Sequence, residues 1–400
     1  MSLDMGREIC GQLALAEARE WLCTNGIGGF ASGTVAGLPT RRYHGLLVAA
    51  LKPPLGRTLL VAKLDETAEY DGLRRELGTN RWADGSVDPS GYREIERFHL
   101  EGTTPVWSYA IADALLEKRV WMEQGANTTY VQYRLLRGRA PVVLDLKALV
   151  NYRDYHATTR GDGWGMRVEP VPAGLRVVAF DGAQPFVLLA DGAEVQPSHE
   201  WYHGFDLAAE RERGLDARED HLHAGTFRGN LAPGATLTFV ISTEAAPSLD
   251  GAAARRRQEE HEGQLLERWR TAHPAARRAP AWIQQLVLAA DQFVVRRALP
   301  DEPEGMSVIA GYHWFGDWGR DTMISLPGLL LSTGRPEAAR RILTTFSRFV
   351  DQGMLPNRFP DAGEAPEYNT VDATLWYVEA IRAYHAMTGD GGLLAHLFPI

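Results

Sequence analysis

The sequence is poor in several things, and each shortage excludes a class of protein. Only two cysteines, Cys10 and Cys23, occur in 400 residues, so a disulfide framework is absent and a reducing cytoplasm is the expected setting. No apolar run is long enough to span a bilayer, and the opening Met-Ser-Leu-Asp-Met-Gly-Arg-Glu lacks the apolar core of a signal peptide. Basic residues are the minority, 42 against 51 acidic ones, for a formal net charge of −9. That balance argues against a nucleic-acid or anionic-membrane partner and is compatible with a neutral substrate such as a glucan. The 12 histidines show no metal-ligand spacing. His156, His203 and His313 read as hydrogen-bonding residues rather than zinc ligands, and no metal or other cofactor is expected.

What is present supports two or three domains, since 45% apolar content over this length can build ample core. Glycines 26, 28, 29, 33 and 37 forbid a helix near the start. Without a strand-then-helix pattern or a following Gly-Lys-Ser/Thr they indicate tight turns between short strands, not a phosphate loop. The cluster Thr40-Arg41-Arg42-Tyr43-His44-Gly45 then enters an apolar strand, Leu46 to Ala50. It reads equally as a solvated basic turn or as part of a site.

From Pro105 to Thr243 the period is two. Val131, Tyr133 and Leu135 alternate with Gln132 and Arg134, and turn residues such as Pro233-Gly234 break the runs at hairpin intervals. Many strands without intervening helices imply a large antiparallel sandwich. Within it, Asn151-Tyr-Arg-Asp-Tyr-His156 and Trp201-Tyr-His-Gly-Phe205 are either loops facing a neighbouring domain or aromatic core with satisfied polar tips. After Ser248 the composition turns to Ala, Arg, Glu and Gln, with Leu265, Leu266 and Trp269 at helical spacing, which predicts a linker helix with a solvated charged face. Beyond Pro280 the period is 3.6. Ile283, Leu286, Val287, Ala290, Phe293 and Val294 form one stripe ended by Pro300. Further helices follow Asp321, run from Pro336 to about Val350, and run from about Val371 to Met387, predicting a series of helical hairpins.

Two helix starts carry the chemistry. Ala310-Gly-Tyr-His-Trp-Phe-Gly-Asp-Trp-Gly-Arg-Asp-Thr-Met-Ile-Ser-Leu326 gathers aromatic rings, two carboxylates, an arginine and a histidine in a glycine-broken loop at a helix mouth. Indole rings offer an apolar face to a pyranose, and Asp and Arg bond its hydroxyls in pairs. Trp314 and Trp318 are the candidate platform, with Arg320 and Asp321 as the clamp. The helix dipole and the adjacent guanidinium would favour an ionised Asp321, suited to binding rather than to proton donation. Capping by Asp321 with both tryptophans in the core is the alternative; the density of unlike polar groups among rings favours a site. At Glu367-Tyr-Asn-Thr-Val-Asp-Ala-Thr-Leu-Trp376, Asn369 and Asp372 have the spacing of an N-cap and its partner, so capping competes with membership of the same sugar site.

Taken together, Trp21 to His44, Asn151-Tyr-Arg-Asp-Tyr-His156, Trp318-Gly-Arg-Asp-Thr322 and Tyr368-Asn-Thr-Val-Asp-Ala-Thr-Leu-Trp376 resemble bacterial glycogen debranching enzymes of the amylo-α-1,6-glucosidase type, from near residue 17 onward. The resemblance implies an N-terminal antiparallel β-sandwich (residues 1–248), a helical linker (249–279) and the first helices of an all-α (α/α)6 toroid (280–400). It implies inverting hydrolysis of the α-1,6-linked glucose stub of glycogen or another branched α-glucan. The toroid is also similar to that of glucoamylases, where a Trp-x-Arg-Asp loop holds the non-reducing glucose. By that likeness Arg320 and Asp321 bind glucose, Asn369 and Asp372 line the same pocket, and Asn25, Arg42 and His44 are candidates for a contribution from the N-terminal domain.

One departure qualifies the match. Four helices in about 120 residues imply roughly 360 for twelve, so the toroid is expected to be incomplete here. The family's general acid lies in a Thr-Trp-Met-Asp motif that this sequence does not contain, and the base lies later still, so both are expected beyond Ile400. Alternatives are a glucoamylase-like or trehalase-like hydrolase, or a glucan-binding fragment without turnover.

Overall fold

Alternation of apolar and polar residues builds the first part of the chain into strands. A computed structural model describes residues 3–161, 163–359 and 365–400. Val131, Tyr133 and Leu135 are fully buried in strand Thr128–Arg137. Val131 lies opposite Phe239 and Tyr133 opposite Leu237 of strand Thr236–Ser242, as period-two spacing requires. Nine strands form one antiparallel sheet, its centre running Thr104–Ile111, Ala114–Met122, Thr128–Arg137, Thr236–Ser242. Eight form a second, ordered Glu194–Asp206, Arg218–Leu231, Val142–Asp154, Leu55–Tyr70, Gly45–Lys52, Phe30–Thr34, Glu20–Thr24, with Leu73–Glu76 beside Leu55–Tyr70. The sheets enclose one core. Phe227 of the second meets Phe239 of the first edge-on at 4.8 Å, and Trp21 meets Trp107 at 5.5 Å. Burying a large apolar side chain stabilises by about 1.5–3 kcal/mol, so a one-residue slip that turned these rings outward would be strongly disfavoured.

The last sandwich strand ends at Ser242, and helix α1 (Gly251–Ala272) begins with Asp250 accepting a hydrogen bond from the Ala253 N–H at 2.9 Å. Its inner face, Ala254, Gln258, Glu262, Leu265 and Trp269, is buried. Glu262, part of the expected solvated run, instead accepts from the backbone N–H (2.9 Å) and hydroxyl (2.6 Å) of Thr103 and so docks the helix on the sandwich.

Beyond Pro280 a small sheet interrupts the predicted series of helical hairpins. Helix α2 (Ala281–Gln292) stops short of Val294, which the predicted stripe included. Val294 opens strand Val294–Arg296 instead, as two successive β-branched residues favour; the Arg296 N–H donates to Gly26 O at 2.9 Å. Strands Met306–Gly311, Phe315–Trp318 and Arg358–Phe359 complete the sheet. Helix α3 (Gly319–Leu326) continues into a wider turn, Pro327–Leu331, before α4 (Pro336–Ser347). Helix α5 (Asp372–Thr388) ends at Gly389, whose φ of 69° is the left-handed C-cap that glycine supplies without strain, and α6 (Gly391–Leu397) follows. Leu326, Leu330, Ile342, Phe346, Tyr377 and Ala380 share a second core in which α3 packs on α5. A third cluster joins the two parts: Phe30, Tyr43, Leu59 and Tyr155 from the sandwich meet Val295, Ile309 and Tyr312. The first aromatic piece flagged in the sequence thus reaches a domain seam through Tyr155, whereas Trp201–Phe205 lies within strand Glu194–Asp206. No helix among the described residues is long and apolar enough to cross a membrane.

Candidate sugar-binding site

The glycine-broken stretch is a hairpin rather than a loop. Ile309 pairs with Asp317 and Gly311 with Phe315, and Tyr312 to Trp314 make the turn. Asp317, one of the two carboxylates noted in the sequence, is buried and bonded to Arg297 at 2.6 Å and to the Ser307 hydroxyl at 2.5 Å, so it holds the sheet together. Trp318 is the N-cap residue of α3. Gly319 comes so close to a neighbouring segment that a Cβ would lie 2.1 Å from Pro356 O, and its N–H donates to Asn357 O at 2.9 Å.

The mouths of α3 and α5 open side by side. Arg320 Nη1 lies 3.5 Å from Asp372 Oδ2, with both side chains more than a third exposed. Arg320 and Asp321, read in the sequence as a clamp on the sugar, point about 100° apart on the helix, and helix packing sets Asp372 opposite Arg320. Asp321 is the third residue of α3, and its Oδ2 is buried without a hydrogen-bond partner among the described residues. Capping does not account for Asn369: the N-cap of α5 is Val371, and no side chain caps it. Asn369 Nδ2 donates to Glu367 Oε2 at 3.4 Å, Glu367 Oε1 pairs with Arg358 at 3.2 Å, and Arg358 sits across the strand pair from Trp318. Arg358 and Glu367 therefore join the rim, although their spacing in the sequence gave no reason to select them. The result is an indole flanked by alternating cations, carboxylates and an amide, a set able to donate to and accept from neighbouring hydroxyls.

The two tryptophans flank strand Phe315–Trp318, Trp314 in the turn before it and Trp318 as its last residue. Trp318 meets Phe315 edge-on at 5.4 Å. Trp314 stands four residues earlier, in the turn that faces the sandwich. Its ring is 38% exposed and lies 5.2 Å from the Arg41 guanidinium and 6.0 Å from that of Arg213. Trp314, Phe315 and Trp318 thus lie along the hairpin between the seam and the mouth of α3, with Phe315 and Trp318 in ring contact.

Of the three candidates in the N-terminal part, two are committed to the sandwich. Asn25 is fully buried, donates to Ala126 O (3.0 Å) and Asn127 Oδ1 (3.1 Å), and accepts from the Ile27 N–H (3.1 Å); both ends of its amide shape the glycine turn, and none is left for a sugar. Arg42 donates to His156 O (2.5 Å) and Asp216 O (3.1 Å), with Nε 3.4 Å from Glu210 Oε2. His44 belongs to the seam. Together with Glu20 and His313 it brings three potential metal-ligand atoms within 4.8 Å of one another, a grouping that residues so far apart in the chain do not announce.

Hydrogen-bond directions argue against a metal centre there. The Thr40 N–H donates to His44 Nδ1 at 3.1 Å, so the ring proton sits on Nε2, the atom 3.3 Å from Glu20 Oε1 that would have to bind the ion. Arg41 Nε donates to the same Glu20 oxygen at 2.6 Å, placing a fixed positive charge where the cation would sit. Ser32 gives its hydroxyl proton to Trp21 O (2.7 Å) and accepts from His313 Nε2 (2.8 Å). Burial pushes the Glu20 carboxyl up, but His44 and the bond from Arg41 outweigh it and hold it at about 2. Burial, reinforced by His44, pushes His313 down to about 3. The trio latches the hairpin to the sandwich.

Two family descriptions match the sequence: "Glycogen debranching enzyme N terminal" over residues 19–238 and "Amylo-alpha-1,6-glucosidase" over residues 288–400. The chain belongs to the glycogen debranching enzyme family. Within that family the glycogen debranching enzyme of Saccharomyces cerevisiae is 40% identical over 74 residues, which is 18% of this chain and 5% of the yeast protein. Among solved structures, that of a bacterial glucoamylase complexed with acarbose superposes with a TM-score of 0.50 at 9% identity, covering 92% of this chain and 56% of that one. The likeness extends through both the sandwich and the helices and concerns the fold alone. The chain spans about half the length of that glucoamylase and a small fraction of the yeast enzyme. In this glycogen debranching enzyme family member, Trp314 to Asp372 all fall inside the second matched segment, and Asn25, Arg42 and His44 inside the first.

Proposed function

We propose that the chain binds and positions the α-1,6-linked glucose at a branch point of glycogen or a related α-glucan for hydrolysis. The observation that carries this reading is the Arg320–Asp372 pair at 3.5 Å, which unites two polar helix mouths beside Trp318. Trp318 takes the apolar face of the glucose; Arg320, Asp321, Asn369 and Asp372 take its hydroxyls. The row through Phe315 to Trp314 carries the attached chain. The family resemblance supports inversion by metal-free acid–base chemistry, in which a carboxylic acid protonates the leaving oxygen and a carboxylate about 6.5–9.5 Å away activates water. Neither role is assigned to a residue of this sequence, which has no Thr-Trp-Met-Asp motif. The helices are read as the opening part of an (α/α)6 toroid. The glucoamylase likeness supports this, and so do Val371, Leu375 and Val378, which α5 and its entry leave 68%, 65% and 61% exposed. Cys10 and Cys23, both free and buried, suit a reducing compartment such as the cytoplasm.

Glucose release from a phosphorylase-limit dextrin, compared with maltose and trehalose, tests the reading. Preferential attack on the dextrin supports it, and preference for maltose or trehalose overturns the branch-point assignment. One other reading is a glucan-binding unit without turnover, for which glycogen would bind and none of the three be cleaved.

A further inference from the structure

Besides Ser32 and Glu20, which meet His313, the sandwich reaches under the turn that carries Trp314 with Arg57 of strand Leu55–Tyr70. Its relative exposure is 0%. Nη1 donates to Phe315 O at 2.9 Å and points at Tyr312 O at 3.5 Å, the two carbonyls that bracket His313 and Trp314. Nη2 donates to the Tyr155 hydroxyl at 2.5 Å, and the guanidinium carbon lies 4.1 Å from the centre of that ring. A rigid planar fork fixed on one side by Tyr155 and bonded on the other to the carbonyls of a turn sets both the height and the tilt of that turn.

We propose that Arg57 is a positioning residue: from the N-terminal sandwich it sets the Trp314 ring at the seam and so tunes affinity for the glucan chain leading away from the bound glucose. This rests on Trp314 being part of the sugar platform. Arg57 reaches Trp314 through the carbonyls of Tyr312 and Phe315 on either side of it. Charge alone does not suffice, because a lysine ammonium cannot bridge Tyr155 and the turn carbonyls in one plane.

The test uses the whole protein labelled with 5-fluorotryptophan, the Trp314 fluorine resonance being assigned with W314F. In R57K, and in R57Q where it folds, the Trp314 resonance moves or broadens while that of Trp121, buried in the sandwich, stays in place; an unmoved Trp314 resonance overturns the proposal. Maltotetraose titration supplies the second readout. R57K and W314A should each weaken binding about tenfold, and the double variant should be no weaker than W314A, since both remove the same contact. Losses that multiply to about a hundredfold overturn the proposal, because Arg57 would then act independently of the ring. If W314A binds as tightly as the unmodified protein, the platform role of Trp314 fails, and the affinity part of the proposal falls with it. The fluorine spectrum still decides separately whether Arg57 sets the ring.

Discussion

Replacing Asp372 by asparagine separates a role in binding from a role in holding the helices together. The side chains of Arg320 and Asp372 are 38% and 44% exposed and 3.5 Å apart. A pair so open to water contributes about 0–1 kcal/mol to stability after screening and side-chain ordering, and asparagine fills the same volume. D372N should therefore shift the urea midpoint by no more than that amount allows. A hydroxyl bonded to a charged acceptor is worth roughly 1.5–3 kcal/mol, so losing the charge in the sugar complex should weaken it by about 10- to 150-fold. Chemical unfolding and calorimetric titration with a maltooligosaccharide bearing one α-1,6-linked glucose measure the two effects on one preparation. Full affinity in D372N would refute the placement of Asp372 in the sugar site. A loss of stability of about 3 kcal/mol or more would refute the view that the pair is functional rather than structural.

Further outcomes follow from neighbouring groups. D321N should weaken the same ligand at least as much, since the buried Oδ2 of Asp321 has no partner among the described residues for which the substitution would be a loss; unchanged affinity in calorimetry would remove Asp321 from the site. Gly389 holds a φ of 69° at the end of α5, so G389A should cost about 1 kcal/mol of stability in urea unfolding. His313 titrates at about 3 when folded against an ordinary 6.5. Its neutral form is favoured by folding, so its contribution is complete above pH 6.5 and drains away as the pH falls toward 3; between pH 7 and pH 5 the loss is about 2 kcal/mol. H313N should shrink that pH dependence by the same amount, measured as the difference in unfolding free energy at the two pH values.

The sandwich was legible because one face of each strand is dry: residues such as Val131, Tyr133 and Leu135 must alternate with polar neighbours, and they do. Helix α5 was legible for a similar reason, with Gly389 marking its end. The hairpin before α3 was not, since Met306–Gly311 and Phe315–Trp318 are short, and the outer partner of the second, Arg358–Phe359, comes about forty residues on. At the site, sequence pattern singled out both helix mouths but not which side chains meet between them. Adjacent in the chain, Arg320 and Asp321 diverge on the helix, and Asp372 is brought in by the packing of α3 on α5. Asn25 and Arg42 were candidates through the family likeness, and a buried hydrogen-bonding residue fits such a likeness as well as a ligand-binding one. Arg57 gave none: an arginine in an apolar strand reads as an outward-facing charge until a second domain covers it.

Hydrogen exchange with and without bound ligand locates the sugar without presuming which side chains hold it. With the singly branched maltooligosaccharide present, protection should rise at residues 314–322 and 367–374, the two helix mouths and the row of rings, and stay level across the sandwich strands away from the seam. Protection that rises elsewhere, with both mouths exchanging as in the free protein, would contradict the assignment of this site.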